Sequence, residues 1–112
     1  MKVKCEIMRL KNDKINDYED MHLNPWPELI HELAKAGFHE LYTFIDGNVV
    51  IVIMKSDSVE NSYRRLEKTE TFNKWTTIVR SMLTKNNKVV LSSDDVINAK
   101  CIFNLTELLK NK

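Results

Sequence analysis

A tyrosine and a histidine one helical turn apart are the strongest candidates for chemistry in this sequence. Tyr18 and His22 have i, i+4 spacing, so a helix would place the phenol beside the imidazole, on the face that also carries Ile15. A partly buried imidazole has a pKa that is easily tuned around neutrality, and it can therefore donate or accept a proton at cellular pH. The tyrosine hydroxyl could hold a substrate oxygen. The same spacing also fits a core pair whose polar atoms are satisfied by backbone groups.

Trp75 is a candidate wall for a sugar-binding site. Sugars stack their C–H surfaces on aromatic faces, which makes tryptophan a frequent lining residue of such sites. Trp75 also belongs to an apolar helical stripe with Phe72, Val79 and Met82, however, and a tryptophan in such a stripe is more often part of the core. Both interpretations stay open at the level of the residues alone.

Patterns for metal, redox or nucleotide chemistry are missing from the sequence. None of the three histidines, His22, His31 and His39, is spaced from a second histidine or a cysteine as in a recognised metal site. Cys5 and Cys101 have no CxxC spacing, and we expect both to be buried as small apolar residues. The two glycines do not form a phosphate-binding loop. Nucleotide use and metal-dependent hydrolysis therefore have no support in the sequence.

Composition and charge favour a small, near-neutral ligand. The 112 residues include 17 basic and 16 acidic side chains, and the net charge of +1 gives no strong field toward nucleic acid or an anionic membrane. The longest apolar run, VVIVIM, is too short to span a membrane, and no signal peptide is evident. We expect a cytoplasmic protein with a single domain over residues 1–112.

The elements that must position these residues begin with a strand over residues 2–10. Its alternation puts Val3, Cys5 and Ile7 on one face, as in a half-buried strand. The other face carries charged side chains, namely Lys2, Lys4 and Glu6.

A helix that carries Tyr18 and His22 follows, and two prolines interrupt it. Asn12 or Asp13 offers its N-cap. The prolines fall between residues 23 and 27, after which the helical pattern resumes and ends at Gly37, a residue well suited to a left-handed C′ position. One bent helix or two short helices would result.

A hairpin, two helices and a strand complete the predicted order. Residues 38–46 and 48–55 are rich in strand formers and flank the turn dipeptide Asp46-Gly47. The second of these runs is apolar without alternation, as in a strand covered on both faces. Two helices follow, with predicted N-caps at Asp57 and at Thr69 or Thr71. After the polar loop LTKNNK, we expect the last strand at AKCIFNL, residues 99–105.

This order predicts an α+β fold, a ferredoxin-like βαββαβ sandwich of the dimeric α/β-barrel type. Helices on one side of a sheet leave its other face in need of a partner. Because large exposed apolar patches are uncommon on monomers, the VVIVIM strand favours a homodimer in which two sheets stack.

The residues around the histidine resemble those of a known family. The pattern Y-x3-H-x3-W-P-E-L is similar to the signature of the L-rhamnose mutarotase family, and its members are Tyr18, His22, Trp26, Pro27, Glu28 and Leu29. The resemblance covers about residues 3–105 and continues at scattered positions, namely Gly37, His39, Asp46, Thr69, Trp75 and Ile102-Phe103.

This resemblance implies a homodimeric isomerase of the aldose 1-epimerase type that works without a cofactor. Its expected substrate is a small sugar, a 6-deoxy hexose such as L-rhamnose, whose α and β anomers are interconverted. The family pattern implies that His22 is the proton donor, that Tyr18 binds the sugar and that Trp75 lines the pocket. Mutarotation needs a proton delivered to the ring oxygen and another removed from the anomeric hydroxyl, which one tuned imidazole with a hydroxyl or water partner can achieve.

The sequence departs from the family pattern at the expected walls of the sugar site. Thr76 replaces a second tryptophan, and Leu41 replaces a binding tyrosine. The neighbouring Tyr42 would point to the opposite face of its strand. The Asn-Pro pair that usually follows the histidine is displaced to Asn24-Pro25. We favour a mutarotase for L-rhamnose or another sugar. The alternatives are a non-catalytic dimeric ferredoxin-like domain that binds a small molecule or a partner, and a small oxidative enzyme of the same broad fold.

Overall fold

The chain folds into an antiparallel sheet with a layer of helices on one face. The structure is a computed structural model and describes residues 2–85, 88–89 and 96–110. Its strands are β1 (Lys2–Leu10), β2 (Phe38–Asp46), β3 (Val49–Ser56), β4 (Leu83–Lys85), β5 (Lys88–Val89) and β6 (Ile97–Ala99). Its helices are α1 (Ile15–Leu23), α2 (Pro27–Lys35), α3 (Val59–Leu66), α4 (Glu70–Met82) and α5 (Leu105–Lys110), with a 3-10 turn at Asn12–Lys14.

The strand β1 lies at the centre of the sheet, whose order is β2-β3-β1-β4-β5. One edge of β1 pairs with β3, and its other edge is shared by β4 and β6, which pair with different parts of it. All of these pairings are antiparallel. The predicted ferredoxin-like α+β fold is confirmed, and the sheet of the single chain is open rather than closed into a barrel.

The strand register assigns each side chain of β1 to a face. Lys4 pairs with Met54, and Met8 pairs with Val50, so the charged face of β1 is the face on which Met54 and Val50 are buried. The helices cover this face, where Val50 shares a core cluster with Tyr18 of α1. The apolar side of β1 therefore faces away from the helix layer. The sequence predicted a half-buried strand without assigning either face to the helices, and the structure places the charged face beneath them.

The face of the sheet that α1 to α4 leave open is apolar at its centre, with charged residues such as Lys55 and Arg9 toward its ends. Cys5 pairs with Ile53, which in turn pairs with Tyr42, so these side chains form a row across three strands. Tyr42 and Phe44 on β2 are 48% and 54% exposed. The other apolar members of this open face are Val3, Ile7, Ile51 and Ile97. The predicted uncovered apolar sheet face is thus present in the single chain.

The prolines produce two short helices instead of one bent helix. Pro27 occupies the first turn of α2, where its missing N–H costs nothing. Trp26, the N-cap, is extended with φ −65° and ψ 130°, and its carbonyl accepts the N–H groups of Leu29 and Ile30 at 3.0 and 3.3 Å. After α2, Gly37 has a φ of 101°, in the left-handed region that favours glycine, as predicted.

Local capping differs from the predictions at two helices. Neither Asn12 nor Asp13 caps α1, because the chain first makes a 3-10 turn and no side chain caps either segment. Ser58 replaces Asp57 as the N-cap of α3, and its hydroxyl accepts the N–H of Asn61 at 3.2 Å. Thr69, one of the two residues expected at the start of α4, is its N-cap but makes no side-chain capping bond. The hairpin is confirmed, with Gly47 and Asn48 between β2 and β3.

The C-terminal prediction is wrong in its limits. The strand β6 ends at Ala99, residues 100–104 have no regular structure, and α5 begins at Leu105. Asn104 explains the change, because its side chain accepts the N–H of Glu107 at 3.2 Å and so favours a helix start over a strand. Cys101 is exposed and Cys5 is half-buried, which contradicts the expected burial of both. Within LTKNNK, β4 and β5 take the ends, and residues 86–87 lie outside the described residues.

Candidate active site

A cavity of about 1410 Å³ lies between the helix layer and the covered face of the sheet, open to solvent. Three predicted site residues line it, namely Tyr18, His22 and Trp75. Strand side chains, among them Glu6 and Leu41, form its floor. Because the cavity gathers apolar walls and a few convergent polar groups, it is the candidate active site of the described part of the chain.

Tyr18 and His22 are in direct contact, as their spacing predicts. Their rings stack with centroids 4.0 Å apart and an interplanar angle of 25°. Nδ1 of His22 lies 2.8 Å from the backbone carbonyl of Tyr18. A carbonyl can only accept, so Nδ1 carries a proton and Nε2 is the nitrogen of the neutral ring that can gain one.

Burial controls the protonation of both rings. Desolvation lowers the pKa of His22 below its ordinary value of 6.5, and this outweighs the opposite effect of the hydrogen bond to Tyr18. The imidazole is therefore mostly neutral at neutral pH. Burial, followed by the negative charge of Glu6, raises the pKa of the Tyr18 hydroxyl well above its usual range, so this group keeps its proton.

Trp75 packs in an aromatic cluster beside the histidine. Its ring centroid lies 5.2 Å from that of His22 and 5.1 Å from that of Trp26, both in edge-on arrangements. Such contacts are favourable for aromatic pairs. Only 8% of Trp75 is exposed, so most of its surface serves packing while the remainder borders the cavity. Trp75 is therefore both a packed core residue and a residue of the cavity wall, which are the two interpretations that the sequence left open.

The segment that follows the histidine also holds α4 in place. Glu28 accepts a hydrogen bond from the Thr71 hydroxyl at 3.1 Å, and Glu32 accepts the backbone N–H of Phe72 at 3.1 Å. Both contacts lie in the first turn of α4, where N–H groups lack helical partners and negative charge is favoured. Glu32 was not identified from the sequence, although its i, i+4 spacing from Glu28 places the two carboxylates on the same face of the helix.

The altered wall positions lie where the sequence predicts them. Leu41 pairs with Met54 on the covered face and borders the cavity, whereas Tyr42 lies on the open face. The Tyr42 hydroxyl donates to Glu40 at 2.9 Å. Thr76 also borders the cavity, but its hydroxyl donates to the carbonyl of Phe72 at 2.8 Å. Neither position therefore restores the polar or aromatic contact of the family pattern.

Sequence reasoning missed a charged group on the cavity floor. Glu6 accepts a hydrogen bond from the Tyr63 hydroxyl at 3.2 Å and lies 3.5 Å from the ammonium of Lys4. That ammonium is 5.4 Å from the centre of the Tyr63 ring. Alternation along β1 marked a charged face but gave no indication that helices would cover it. His31 and His39 are exposed, and no group of metal-ligating side chains exists among the described residues.

Comparison with known proteins agrees with the motif. The family model for L-rhamnose mutarotase matches residues 3–105. The chain belongs to the L-rhamnose mutarotase family. The L-rhamnose mutarotase of Shouchella clausii is 27% identical over 96 residues, which cover 83% of this chain and 90% of that protein. The L-rhamnose mutarotase of Bacillus subtilis is 31% identical over 78 residues, which cover 67% and 73%. Membership of this mutarotase family supports an isomerase activity on sugar anomers.

A solved structure agrees on the fold. The crystal structure of an L-rhamnose mutarotase from Formosa agariphila superimposes with a TM-score of 0.70 at 21% identity, over 94% of this chain and 99% of that chain. That solved L-rhamnose mutarotase therefore has a fold like the one described above. In the described part of the present chain, no helix is long and apolar enough to cross a membrane.

Proposed function

We propose that this protein interconverts the α and β anomers of a 6-deoxy hexose such as L-rhamnose, a reaction of the aldose 1-epimerase type. His22 is the proton-transfer group in this proposal. The observation that carries it is the contact of His22 with Tyr18, at 4.0 Å between ring centroids, on the wall of a cavity in a chain of the mutarotase family.

His22 can serve both proton transfers of the reaction. Its neutral Nε2 first accepts the proton of the anomeric hydroxyl while the bond between C1 and the ring oxygen breaks and C1 becomes a carbonyl carbon. The imidazolium then delivers that proton to the ring oxygen. After rotation about C1–C2, the same steps in reverse close the ring on the other face. His22 thus acts first as a base, and the proton that it takes up makes it the proton donor expected from the family pattern.

Tyr18 and Trp75 support this chemistry in different ways. The Tyr18 hydroxyl keeps its proton and can donate a hydrogen bond to a sugar oxygen. Its ring also fixes the imidazole by stacking. Trp75 meets the imidazole in an edge-on arrangement and presents the remainder of its surface to the cavity, where a C–H face of the sugar can pack.

A homodimer is part of the proposal. The open face of the sheet exposes apolar side chains on three strands, and stacking it against a second copy would remove them from water. Light scattering at micromolar concentration is expected to give the mass of two chains. The mass of one chain would contradict this part of the proposal.

A binding domain without turnover is the second candidate. Leu41 and Thr76 favour it, because the first has no hydrogen-bonding group and the hydroxyl of the second is bonded to its own helix. Such a protein would bind a small molecule through the retained part of the cavity. It would be stabilised by the ligand against thermal unfolding without accelerating anomer exchange.

NMR exchange spectroscopy on L-rhamnose and L-fucose distinguishes the two candidates. The wild-type protein is expected to accelerate anomer exchange over buffer, and His22→Ala is expected to lose about 10²- to 10⁴-fold of that acceleration. His31→Ala is the matched control, because His31 is exposed on α2 and should leave the rate unchanged. Equal exchange rates with wild type, His22→Ala and buffer would reject the proposed activity for these two sugars.

A further inference from the structure

Glu6 is a carboxylate in an unusual place for a strand residue. It lies in the middle of β1, pairs with Val52 and shares the covered face with Met8. Its side chain is only 18% exposed. Burial of a carboxylate costs free energy unless charges and hydrogen bonds compensate, so a residue retained there needs a physical reason.

The contacts of Glu6 compensate part of this cost and leave acceptor capacity. One carboxylate oxygen accepts from the Tyr63 hydroxyl at 3.2 Å, and the other lies 3.5 Å from Lys4. A carboxylate offers about four lone-pair sites, so these two contacts among the described residues do not use them all. Glu6 lines the same cavity as His22, and further donors can reach it from there.

Glu6 is also electrostatically close to the proposed proton-transfer pair. Its negative charge contributes to the raised pKa of Tyr18 as well as to that of Tyr63. The negative charge of Glu6 therefore acts on the Tyr18 hydroxyl, and the ring of the same tyrosine stacks on His22. A molecule bound at His22 would share its cavity with the carboxylate of Glu6.

We infer that Glu6 is a sugar-binding residue that accepts hydrogen bonds from substrate hydroxyls and thereby determines which sugar the cavity selects. The inference rests on the proposed mutarotase function. A hydrogen bond to an ionised acceptor is about twice as strong as one between neutral groups. Glu6 thus offers from the floor a polar contact that Leu41 and Thr76 do not offer from the walls.

The charge of Glu6 also defines the class of sugar. A neutral polyhydroxylated substrate presents only donors and acceptors, whereas a uronic acid would bring a second carboxylate into the cavity. A second carboxylate that approaches the largely buried Glu6 would be repelled, and Lys4 is already paired with Glu6. A uronic acid whose carboxylate faces Glu6 should therefore bind less tightly than a neutral sugar.

Anomer-exchange kinetics on L-rhamnose and its 2-, 3- and 4-deoxy analogues test this inference. In Glu6→Ala, we expect KM to rise about 10- to 100-fold while kcat changes much less, because binding is lost and His22 is untouched. For the wild type, one deoxy analogue should likewise have a KM about 10- to 100-fold higher than that of L-rhamnose. For Glu6→Ala, the same analogue should raise KM no further, because the acceptor for the missing hydroxyl is already gone. Glu6→Gln, which keeps the shape without the charge, should show an intermediate KM.

Glu40 provides a matched control outside the cavity. It also accepts from a tyrosine hydroxyl, Tyr42 at 2.9 Å, and pairs with a lysine, Lys55 at 3.4 Å, but it is exposed. Glu40→Ala should leave KM and the deoxy profile at wild-type values. Unchanged KM and an unchanged deoxy profile in both Glu6 variants would overturn the inference and reduce Glu6 to a structural ion pair.

Failure of the proposed function gives a different result. In that case the wild type accelerates exchange of no sugar, and calorimetric titration with L-rhamnose replaces the kinetics. Weaker binding by Glu6→Ala than by wild type and Glu40→Ala would still support a sugar-binding Glu6. Equal binding by all three proteins, or no binding by the wild type, would overturn it.

Discussion

The two faces of the central strand β1 differ in polarity in the opposite sense from the usual pattern, because its charged side lies beneath the helices and its apolar side faces away from them. The covered face of the sheet holds Lys4 and Glu6 beside apolar core residues such as Val50, whereas the open face carries Ile53, Tyr42 and Phe44 at its centre. Under the proposed function, the charge inside serves ligand binding in the cavity, and the apolar side chains outside are covered by the sheet of a second copy. The polarity of each face would then follow from its use, ligand binding or assembly.

The largest expected effect tests the open face. Ile53 lies in the middle of that face, between Cys5 and Tyr42. Ile53→Asp would bury an unpaired carboxylate in a stacked dimer, at a cost of about 3–5 kcal/mol, which corresponds to a Kd at least about 10²-fold weaker. Sedimentation over a concentration series measures this change.

Ile78→Asp is the control for that experiment, because Ile78 is an exposed apolar residue on α4. Circular dichroism should show that both variants remain folded. A dimer of unchanged Kd in Ile53→Asp would mean that the open face is not the interface, and the explanation of its polarity by assembly would fail.

A second prediction concerns packing on the covered side. Trp75→Ala removes a buried side chain that contacts His22 and Trp26. The free energy of unfolding should fall by about 3 kcal/mol, at the lower end for such truncations because Trp75 borders an open cavity. Denaturant unfolding measures the loss. Trp75→Phe should lose less, and equal losses in the two variants would mean that aromatic packing is not what Trp75 provides.

The pH dependence of activity follows from the lowered pKa of His22. Since the neutral ring is the base that starts the reaction, kcat/KM should rise with pH through a pKa below 6.5 and stay level above it. A profile that falls as pH rises through this range would instead assign the protonated ring to the first step. Stopped-flow polarimetry on a single anomer measures the profile.

The same group links stability to pH with a definite sign. The pKa of His22 is lower in the folded protein than in the unfolded chain, so the unfolded chain binds more protons between the two values. Stability should therefore decrease as the pH falls below about 6.5, and His22 adds no further loss below its folded pKa. In His22→Gln this component of the pH dependence should be absent, as measured by thermal unfolding. An identical pH dependence in both proteins would contradict the lowered pKa.

The smallest expected effect concerns the contact between α2 and α4. Glu32→Gln removes the charge that faces the first turn of α4 and should destabilise the protein by about 0.5–1 kcal/mol. Lys35→Gln, about one turn further along α2, is a control for a change of charge on that helix. A loss no larger than that of the control, measured by denaturant unfolding, would show that the carboxylate is dispensable there.

Local patterns were sufficient for the order of elements from β1 to α4 and for the contact between Tyr18 and His22. The contact between Tyr18 and His22 lies within one helix, and Gly37 ends α2 through its own backbone preference. The contact between Glu6 and Tyr63, by contrast, joins β1 to α3 across 57 residues, about half of the chain. Alternation with a period of two separates the faces of a strand, but only tertiary packing decides which face the helices cover.

The C-terminal error has a related origin. AKCIFNL contains enough apolar residues for a strand, and its first residue, Ala99, does belong to β6. Pairing with Cys5, Glu6 and Ile7 stops there, and Asn104 then caps α5. Strand limits depend on the length of the available partner edge, which the residues of the segment itself do not determine.

The hydrogen bond from His22 to the carbonyl of Tyr18 has a consequence for how this protein can change over time. The hydrogen bond that orients the imidazole comes from the backbone of its own helix, at 2.8 Å, and not from Leu41 or Thr76. Substitutions such as Leu41 or Thr76 on the cavity walls can therefore accumulate without disturbing the orientation of His22. Under the proposed function, sugar preference and proton transfer form separable modules, and new specificities can arise in this scaffold while its reaction is retained.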